Sequence, residues 1–196
     1  MVKRKYSEDS ELWIQYGIHL PSKTVRLDGG VDSELVERTM DAFHLFNLDS
    51  NPVTILLNCP GGDEVQGMAI FDLIKASPCH VTIRVVGEAC SMGAVILQAA
   101  DHREAMPHSV IMHHTGEGNP YYGHKENVRR YYKFSEEYDE FLDNVMLVRI
   151  NEKRAKDGLD TKTISWWRKE DTWDKWLSPK EAIDLGLLDG IFGDKT

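Results

Sequence analysis

Short apolar runs alternate along the chain with segments whose apolar positions recur every three or four residues. The runs predict β-strands, and the recurring pattern predicts helices. Strands are expected over 24–27, 53–58, 81–87 and 109–114, and helices from 32 or 33 to 48, over 65–76 and over 91–100. The second and third strands are almost entirely apolar, which is typical of strands covered on both faces. This order predicts an α/β fold with a largely parallel sheet.

A long helical pattern runs from residue 125 to about residue 154. Its apolar positions fall mostly three or four residues apart, at Val128, Tyr131, Tyr138, Phe141, Leu142, Val145 and Met146. Such a helix would be roughly 45 Å long, which exceeds the diameter of a domain of this size. We therefore expect part of it to project and to need a partner surface. An ordinary amphipathic helix on the domain's own core gives the same pattern.

Capping residues mark the start of the last helix. Ser178 is a good N-cap, Pro179 suits the first helical position, and Glu181 completes a capping box. Gly186 is expected to end the helix. Asp174 lies just before this start, so the approach to the helix fixes where it sits.

Composition narrows the class of protein. The chain has 196 residues, 41% hydrophobic and 28% charged, which suits one domain with its own core. Its net charge of −9 argues against a nucleic-acid partner. Three cysteines, Cys59, Cys79 and Cys90, form no CxxC pair, so no disulfide framework or metal site is expected. No apolar stretch suits a signal peptide or a membrane span, so a soluble cytoplasmic protein is expected.

The first candidate for chemistry is Ser91, which lies where a predicted strand gives way to a predicted helix. Small residues at Ala89 and Gly93 allow a sharp turn there, which is the layout of a nucleophile elbow. Amide dipoles at the start of a helix favour developing negative charge. A serine at this position is also a common helix cap, and the sequence alone leaves that alternative open.

Two glycines, Gly61 and Gly62, follow the buried strand at 53–58. Glycines there can leave backbone N–H groups uncovered, and a pair of free amides can hold an oxyanion. A plain Pro-Gly turn is the alternative.

The strand at 109–114 ends in His113 and His114, which point to opposite faces, so only one of them can face a site. Two adjacent histidines on a strand cannot easily chelate one metal ion.

An acid candidate, Asp174, is flanked by Trp173 and Trp176. A carboxylate in an aromatic setting is expected to be poorly solvated unless it is paired, and a histidine N–H is a natural partner. The alternative is one more surface acid among the chain's 32 Asp and Glu residues.

The order of these segments resembles the proteolytic subunit of the Clp protease family. The resemblance covers about residues 23–192 and is weakest over 115–172. The matching segments are Asn58-Cys59-Pro60-Gly61-Gly62, Ala89-Cys90-Ser91-Met92-Gly93-Ala94, Ile111-Met112-His113-His114, and Asp174-Lys175-Trp176-Leu177-Ser178 with Glu181-Ala182. The serine segment is the most specific of them.

The resemblance implies a site and a fold. Ser91 matches the family's nucleophile, His114 its general base and Asp174 the third member of the triad. The amides of Gly62 and Met92 match the oxyanion hole. An extended substrate is expected beside Gly61, Asp63 and Thr115.

The implied fold is a crotonase-like α/β unit with a handle helix at about 125–154. The peptidase domain would cover residues 23–196, after an N-terminal docking segment over 1–22. Seven subunits per ring and two stacked rings are implied, with no cofactor or metal. An AAA+ unfoldase would feed unfolded polypeptides to the chamber.

Three departures from the family pattern affect these implications. Thr172 and Trp173 replace an Asp-Arg pair that couples ring assembly to activity. The segment 115–123 lacks the family's Gln-Pro and Gly-rich pattern, and the N-terminus is charged rather than apolar.

Three other functions remain open at this stage. The first is a phage-type maturation protease that works without an ATPase. The second is a non-catalytic ring subunit, and the third is a crotonase-like acyl-CoA enzyme.

Overall fold

The elements of the fold come from residues 8–114, 121–170 and 174–194, which the computed structural model describes. The helices are α1 Glu8–Tyr16, α2 Ser33–Phe46, α3 Glu64–Lys75, α4 Met92–Leu97, α5 Lys125–Lys156, α6 Ile164–Glu170 and α7 Pro179–Leu185. The strands are β1 Ile18–His19, β2 Thr24–Asp28, β3 Val53–Cys59, β4 Val81–Cys90, β5 His102–Ala105, β6 Val110–His113, β7 Lys175–Leu177 and β8 Gly190–Ile191.

The centre of the sheet is parallel, as the sequence predicts. Strand β3 lies between β2 and β4, and both pairings are parallel. Along β3 fully buried residues alternate with partly buried ones, so both faces of this strand are covered. The short strand β1 adds an antiparallel edge beside β2. The predicted α/β class is therefore confirmed.

Strand β4 is longer than predicted, and it divides the sheet. Its first half pairs with β5, and its last residues pair with β6. The register with β3 shifts after Leu57, near Gly87, whose φ is 104°. A Cβ at Gly87 would lie 2.4 Å from the Asn58 side-chain oxygen, so only glycine fits this bend. The bend turns the end of β4 away from β5 and toward β6.

The long helix α5 has two different halves. It is 32 residues long, about 48 Å at 1.5 Å per residue. All of its buried residues lie toward its C-terminal end: Leu142, Asp143, Met146, Leu147 and Ile150. From Lys125 to Phe141 no residue is buried, and Tyr132, Phe134 and Phe141 are exposed. Only the second half therefore packs on the core of its own domain.

The predicted start of α7 is confirmed in detail. Ser178 is the N-cap, and Glu181 completes the capping box. Gly186 closes the helix with a φ of 87°, in the left-handed region. Strand β7, which precedes this cap, was not predicted, and it pairs antiparallel with β6. The fixed helix start and the strand pairing together hold the chain around residue 174 against the end of β6.

Candidate active site

The serine at the β4–α4 junction has the backbone strain of a nucleophile elbow. Ser91 has φ 52° and ψ −121°, and Lys23 is the only other non-glycine described with a positive φ. Its N–H donates to the Met112 carbonyl, 2.8 Å away, which ties the turn to β6. Its hydroxyl makes no capping hydrogen bond. Ser91 therefore occupies the N-cap position of α4 without capping the helix through its side chain, and its hydroxyl is free for another partner.

Two glycines make room for this turn. Gly61 is buried with a φ of 107°, and a Cβ there would lie 2.6 Å from the Ser91 Cβ. A Cβ at Gly93 would lie 2.7 Å from the Cys59 carbonyl oxygen. Real Cβ atoms essentially never approach other atoms so closely. Both positions therefore require glycine, and together they let α4 begin directly against β3.

His114 follows the last residue of β6 and faces Ser91. Its Nε2 lies 2.9 Å from the Ser91 Oγ, which is hydrogen-bond distance. His113 points the other way, where it is buried with its ring 5.3 Å from the Trp167 ring. The prediction that only one of the two histidines faces the site is confirmed, and that histidine is His114.

The strand pairing brings Asp174 opposite His114. Strand β7 pairs with β6 so that Met112 faces Trp176 and His113 faces Lys175. Continuing this register by one residue places Asp174 across from His114, and directly opposite residues share a face of the sheet. Asp174 also lines the same cleft as Ser91 and His114.

Two features of Asp174 differ from the expectation. Its side chain is exposed and Trp176 is 58% exposed, so the poor solvation expected for the carboxylate is not observed. Trp173, the other expected neighbour, lies outside the described residues. Among the hydrogen bonds between described residues, none joins Asp174 to His114.

The two amides expected to form an oxyanion hole belong to Gly62, which lines the cleft with Ser91, and to Met92, the residue after Ser91. Gly62 forms a parallel bridge with Val31, in which the Val31 N–H donates to Gly61 and the Asp63 N–H donates to Val31. Peptide groups alternate in direction along an extended chain, so the Gly62 N–H points away from Val31. Met92 is the first residue of α4, where N–H groups lack a partner within the helix. Neither N–H donates to any described residue.

A cleft of about 760 Å³ runs past the Ser91 hydroxyl. Its described lining residues are Pro60, Gly62, Asp63, Glu64, Val65, Ser91, Met112, His114, Tyr131, Phe134, Ser135, Tyr138, Asp139 and Asp174. The N-terminal half of α5 therefore forms one wall. Sequence reasoning missed this wall, because periodicity shows that a helix has an apolar stripe but not what the stripe faces.

The three residues expected to contact substrate have different positions. Asp63 lines the cleft, but its carboxylate also accepts from the Gln66 N–H, 2.8 Å away, as the N-cap of α3. Gly61 is buried beneath Ser91 and does not line the cleft. Thr115 lies outside the described residues, as do Thr172 and Trp173, where the family pattern differs.

Ionisable groups around the cleft have shifted pKa values. Burial raises the pKa of Glu64, nearby Asp139 and Asp63 raise it further, and His114 lowers it. Burial also raises the pKa of Asp139, together with Asp143 and Glu136, while Arg168 lowers it. Burial and Glu88 raise the pKa of Cys90 to about 12. Cys90 therefore remains a protonated thiol at neutral pH, which is the weakly nucleophilic form of cysteine.

Two kinds of feature are not found in the described part of the chain. No group of three or more His, Cys, Asp or Glu side chains there is arranged to hold a metal ion. In the same ranges, no helix combines the length and apolar character needed to cross a bilayer.

The mixed sheet, the strained serine and the histidine at its hydroxyl define an α/β protein with a site of the serine-hydrolase type. The family model for the Clp protease matches residues 8–195, and the chain belongs to the Clp protease family.

Curated relatives support the family assignment. One is the ATP-dependent Clp protease proteolytic subunit 2 of Treponema denticola, 29% identical over 194 residues, which are 96% of this chain and 90% of the relative. The protein of the same name from Pseudomonas aeruginosa is 27% identical over 175 residues, 88% of this chain and 82% of the relative.

A solved structure shows the same fold. A point mutant of ClpP1 from Listeria monocytogenes superposes with a TM-score of 0.74 at 24% identity. The match covers 90% of this chain and 94% of that one.

Proposed function

We propose that this chain is a serine endopeptidase in which Ser91 is the nucleophile, His114 the general base and Asp174 the residue that orients the imidazole. The observation that carries the proposal is the 2.9 Å contact between the Ser91 Oγ and the His114 Nε2, at a strained turn that opens on a cleft. A non-catalytic subunit would have no need for this strain, which costs of order 1–3 kcal/mol.

The proposed reaction begins with proton transfer. His114 Nε2 takes the Ser91 Oγ proton as Oγ attacks the carbonyl carbon of the scissile peptide. The carbonyl oxygen gains negative charge, and the Gly62 and Met92 N–H groups donate to it. Asp174 accepts from the His114 Nδ1–H, which fixes the tautomer and stabilises the imidazolium.

In the second half of the proposed reaction, His114 acts first as an acid and then again as a base. The protonated His114 gives its proton to the leaving amine, and an acyl-enzyme ester remains on Ser91. His114 then takes a proton from a water molecule as the water oxygen attacks the ester carbonyl carbon. It returns this proton to the Ser91 Oγ as the ester bond breaks, which releases the second peptide and restores the hydroxyl. Substrate is proposed to lie extended beside Gly62 and Asp63 on one side and residue 115 on the other, as an added strand.

Hydrolysis of a small internally quenched peptide by the purified protein tests this proposal. A short peptide needs no unfolding and therefore no second protein. Turnover that follows the concentration of the chain supports a peptidase. Absence of turnover across varied peptides would contradict it and favour the alternative of a non-catalytic ring subunit.

Replacing Gly61 with alanine is expected to lower kcat/KM for peptides about 10²-fold, an effect the size of losing one oxyanion-hole donor. The new Cβ would overlap the Ser91 Cβ, so the Oγ would shift from His114. The control is Gly190→Ala, because a Cβ at Gly190 meets nothing within 4 Å and is expected to change the rate less than twofold. Equal rates for the two variants would show that the position of Ser91 does not depend on Gly61.

Ring assembly is part of the proposal. The curated relatives carry the name of a proteolytic subunit of an ATP-dependent protease. The uncovered first half of α5 is a large surface for contact with further copies, as the handle of the family would be. We propose that the chain forms heptameric rings, that two rings stack, and that the complex acts in the cytoplasm. An AAA+ unfoldase that engages the N-terminal segment 1–22 would feed it.

Action without an ATPase, as in a maturation protease, is the second candidate function, since the N-terminus is charged rather than apolar.

Negative-stain electron microscopy tests the assembly. End views are expected to show sevenfold rings, and side views two stacked layers. Tyr132→Glu and Phe141→Glu together place charge on exposed positions of α5 that do not line the cleft, and they are expected to separate the layers. Stacked layers that persist in this variant would contradict a role for α5 between rings.

A further inference from the structure

Two carboxylates in the cleft lack a basic partner. Glu64 is in the first turn of α3, and Asp139 reaches the cleft from α5. Both are partly buried, and neither forms an ion pair among the described residues. Burial raises the pKa of each, and neighbouring carboxylates raise it further: Asp139 acts on Glu64, and Asp143 acts on Asp139. The opposing effects of His114 on Glu64 and of Arg168 on Asp139 do not cancel these shifts, so the cleft disfavours negative charge at both positions. A positive group entering the cleft would relieve this repulsion.

The other charged groups near the cleft already have partners. Asp143 is buried and accepts from the Trp167 indole N–H at 3.1 Å and from Arg168 at 2.9 Å. Arg168 also pairs with Glu140, 3.5 Å away. Lys175 lies over the Trp167 ring, on the opposite face of β7 from Asp174. None of these cations lines the cleft.

The described residues that line the cleft carry fixed charge of one sign. They include four carboxylates, those of Asp63, Glu64, Asp139 and Asp174, and no Lys or Arg. A cleft lined by charges of one sign raises the local concentration of oppositely charged ligands.

The α5 wall adds aromatic faces to this negative charge. Tyr131, Phe134 and Tyr138 line the cleft, and the rings of Phe134 and Tyr138 stack with centroids 5.6 Å apart. An aromatic face attracts an ammonium or guanidinium group and also packs against the methylene chain that carries it. Aromatic rings beside unpaired carboxylates therefore suit a long cationic side chain better than a short or acidic one.

From this lining we propose that Glu64 and Asp139 make the cleft selective for peptides that place a lysine or arginine near the bond attacked by Ser91. The inference rests on the proposed function, because it assigns the substrate class of that same site. Glu64 and Asp139 are specificity-determining residues, and they take no part in the bond-breaking steps.

Internally quenched peptides that differ at one residue test the proposal. Lysine, norleucine and glutamate are placed in turn at each position from three before to two after the cleaved bond. Norleucine matches the length of lysine without its charge. At one position at least, the ratio of kcat/KM for lysine over norleucine is expected to be about five- to tenfold, the size of one or two partly exposed ion pairs. Raising the salt from about 0.05 to about 0.5 M should reduce this ratio, because screening shortens the reach of these charges.

The double variant Glu64→Gln with Asp139→Asn is expected to bring the ratio close to one. Glu137→Gln is the matched control, since Glu137 is on α5 but does not line the cleft, and it should keep the wild-type ratio. A wild-type ratio within twofold of one at every position would overturn the proposal. A preference for lysine that persists in the double variant would overturn it as well.

Binding separates this proposal from the proposed function. The same peptides are titrated against Ser91→Ala by fluorescence anisotropy, which needs no turnover. Tighter binding of the lysine peptides without hydrolysis by wild type would support the selectivity and contradict the peptidase. Hydrolysis that depends on Ser91 but ignores peptide charge would support the peptidase and overturn the selectivity.

Discussion

Replacing Ser91 with alanine is expected to lower kcat for peptide hydrolysis by roughly 10⁵–10⁶-fold, the loss seen when a catalytic serine is removed from a triad. The physical reason is that the Ser91 Oγ lies 2.9 Å from His114 Nε2 and Ser91 lines the cleft, so its loss removes the proposed attacking atom. His114→Ala should cost about as much, and the double variant no more than either single one, because the two side chains act on one step. Single-turnover and steady-state assays with a quenched peptide give these rates.

The control for this series is Ser165→Ala, an exposed serine in α6 that should leave the rate within twofold of wild type. Losses that multiply in the Ser91 and His114 double variant would mean that the two residues serve separate steps. A Ser91→Ala variant that retains more than about a tenth of the wild-type rate would remove this residue from the reaction.

The second large effect is expected for Asp174→Asn, with kcat lowered about 10³- to 10⁴-fold and KM little changed. Asparagine keeps the size of the side chain, but its amide favours the wrong imidazole tautomer. The register of β6 and β7, continued by one residue, places residue 174 opposite His114, and both residues line the same cleft. A pH profile of kcat/KM for wild type and variant completes the measurement.

Asp184→Asn is the matched control, since Asp184 is an exposed acid of α7, one residue before the end of that helix, and does not line the cleft. It is expected to leave kcat within twofold of wild type. An Asp174→Asn variant within threefold of wild type would show that another group orients His114. The exposed position of Asp174 makes this experiment decisive for the third member of the triad.

The sequence predicts those parts of the fold in which a residue type meets a local backbone or burial requirement. Ser178, Glu181 and Gly186 each satisfy a backbone requirement at a helix end, so their positions fix α7. The division of roles between His113 and His114 follows from the alternation of side chains along a strand. Long apolar runs predicted the central parallel strands, because a continuous apolar run is typical of a strand that is buried on both faces.

The parts that were missed depend on contacts between distant segments. Strands β5, β7 and β8 are two to four residues long, too short for a periodic pattern. The helix expected over 91–100 ends at Leu97. Strand β4 continues to Cys90, three residues beyond the prediction, because its last residues pair with β6.

The environment of the acid residues was also beyond the sequence. Asp174 was expected among shielding tryptophans, yet it is exposed at the edge of β7. Glu64 and Asp139 come from helices that are adjacent only in space, so no spacing along the chain links them. Packing between helices brings these two carboxylates into one cleft. The sequence therefore predicted the motifs but not the negative charge of the cleft.

The central claim is that Ser91 is an activated nucleophile, and covalent labelling tests it most directly. The wild-type protein is treated with a fluorophosphonate, and the adduct is located by mass spectrometry of its proteolytic fragments. We expect one phosphonyl group per chain, attached to Ser91, with labelling lost in Ser91→Ala and greatly slowed in His114→Ala. An adduct on another residue, or equal labelling of wild type and Ser91→Ala, would contradict the account.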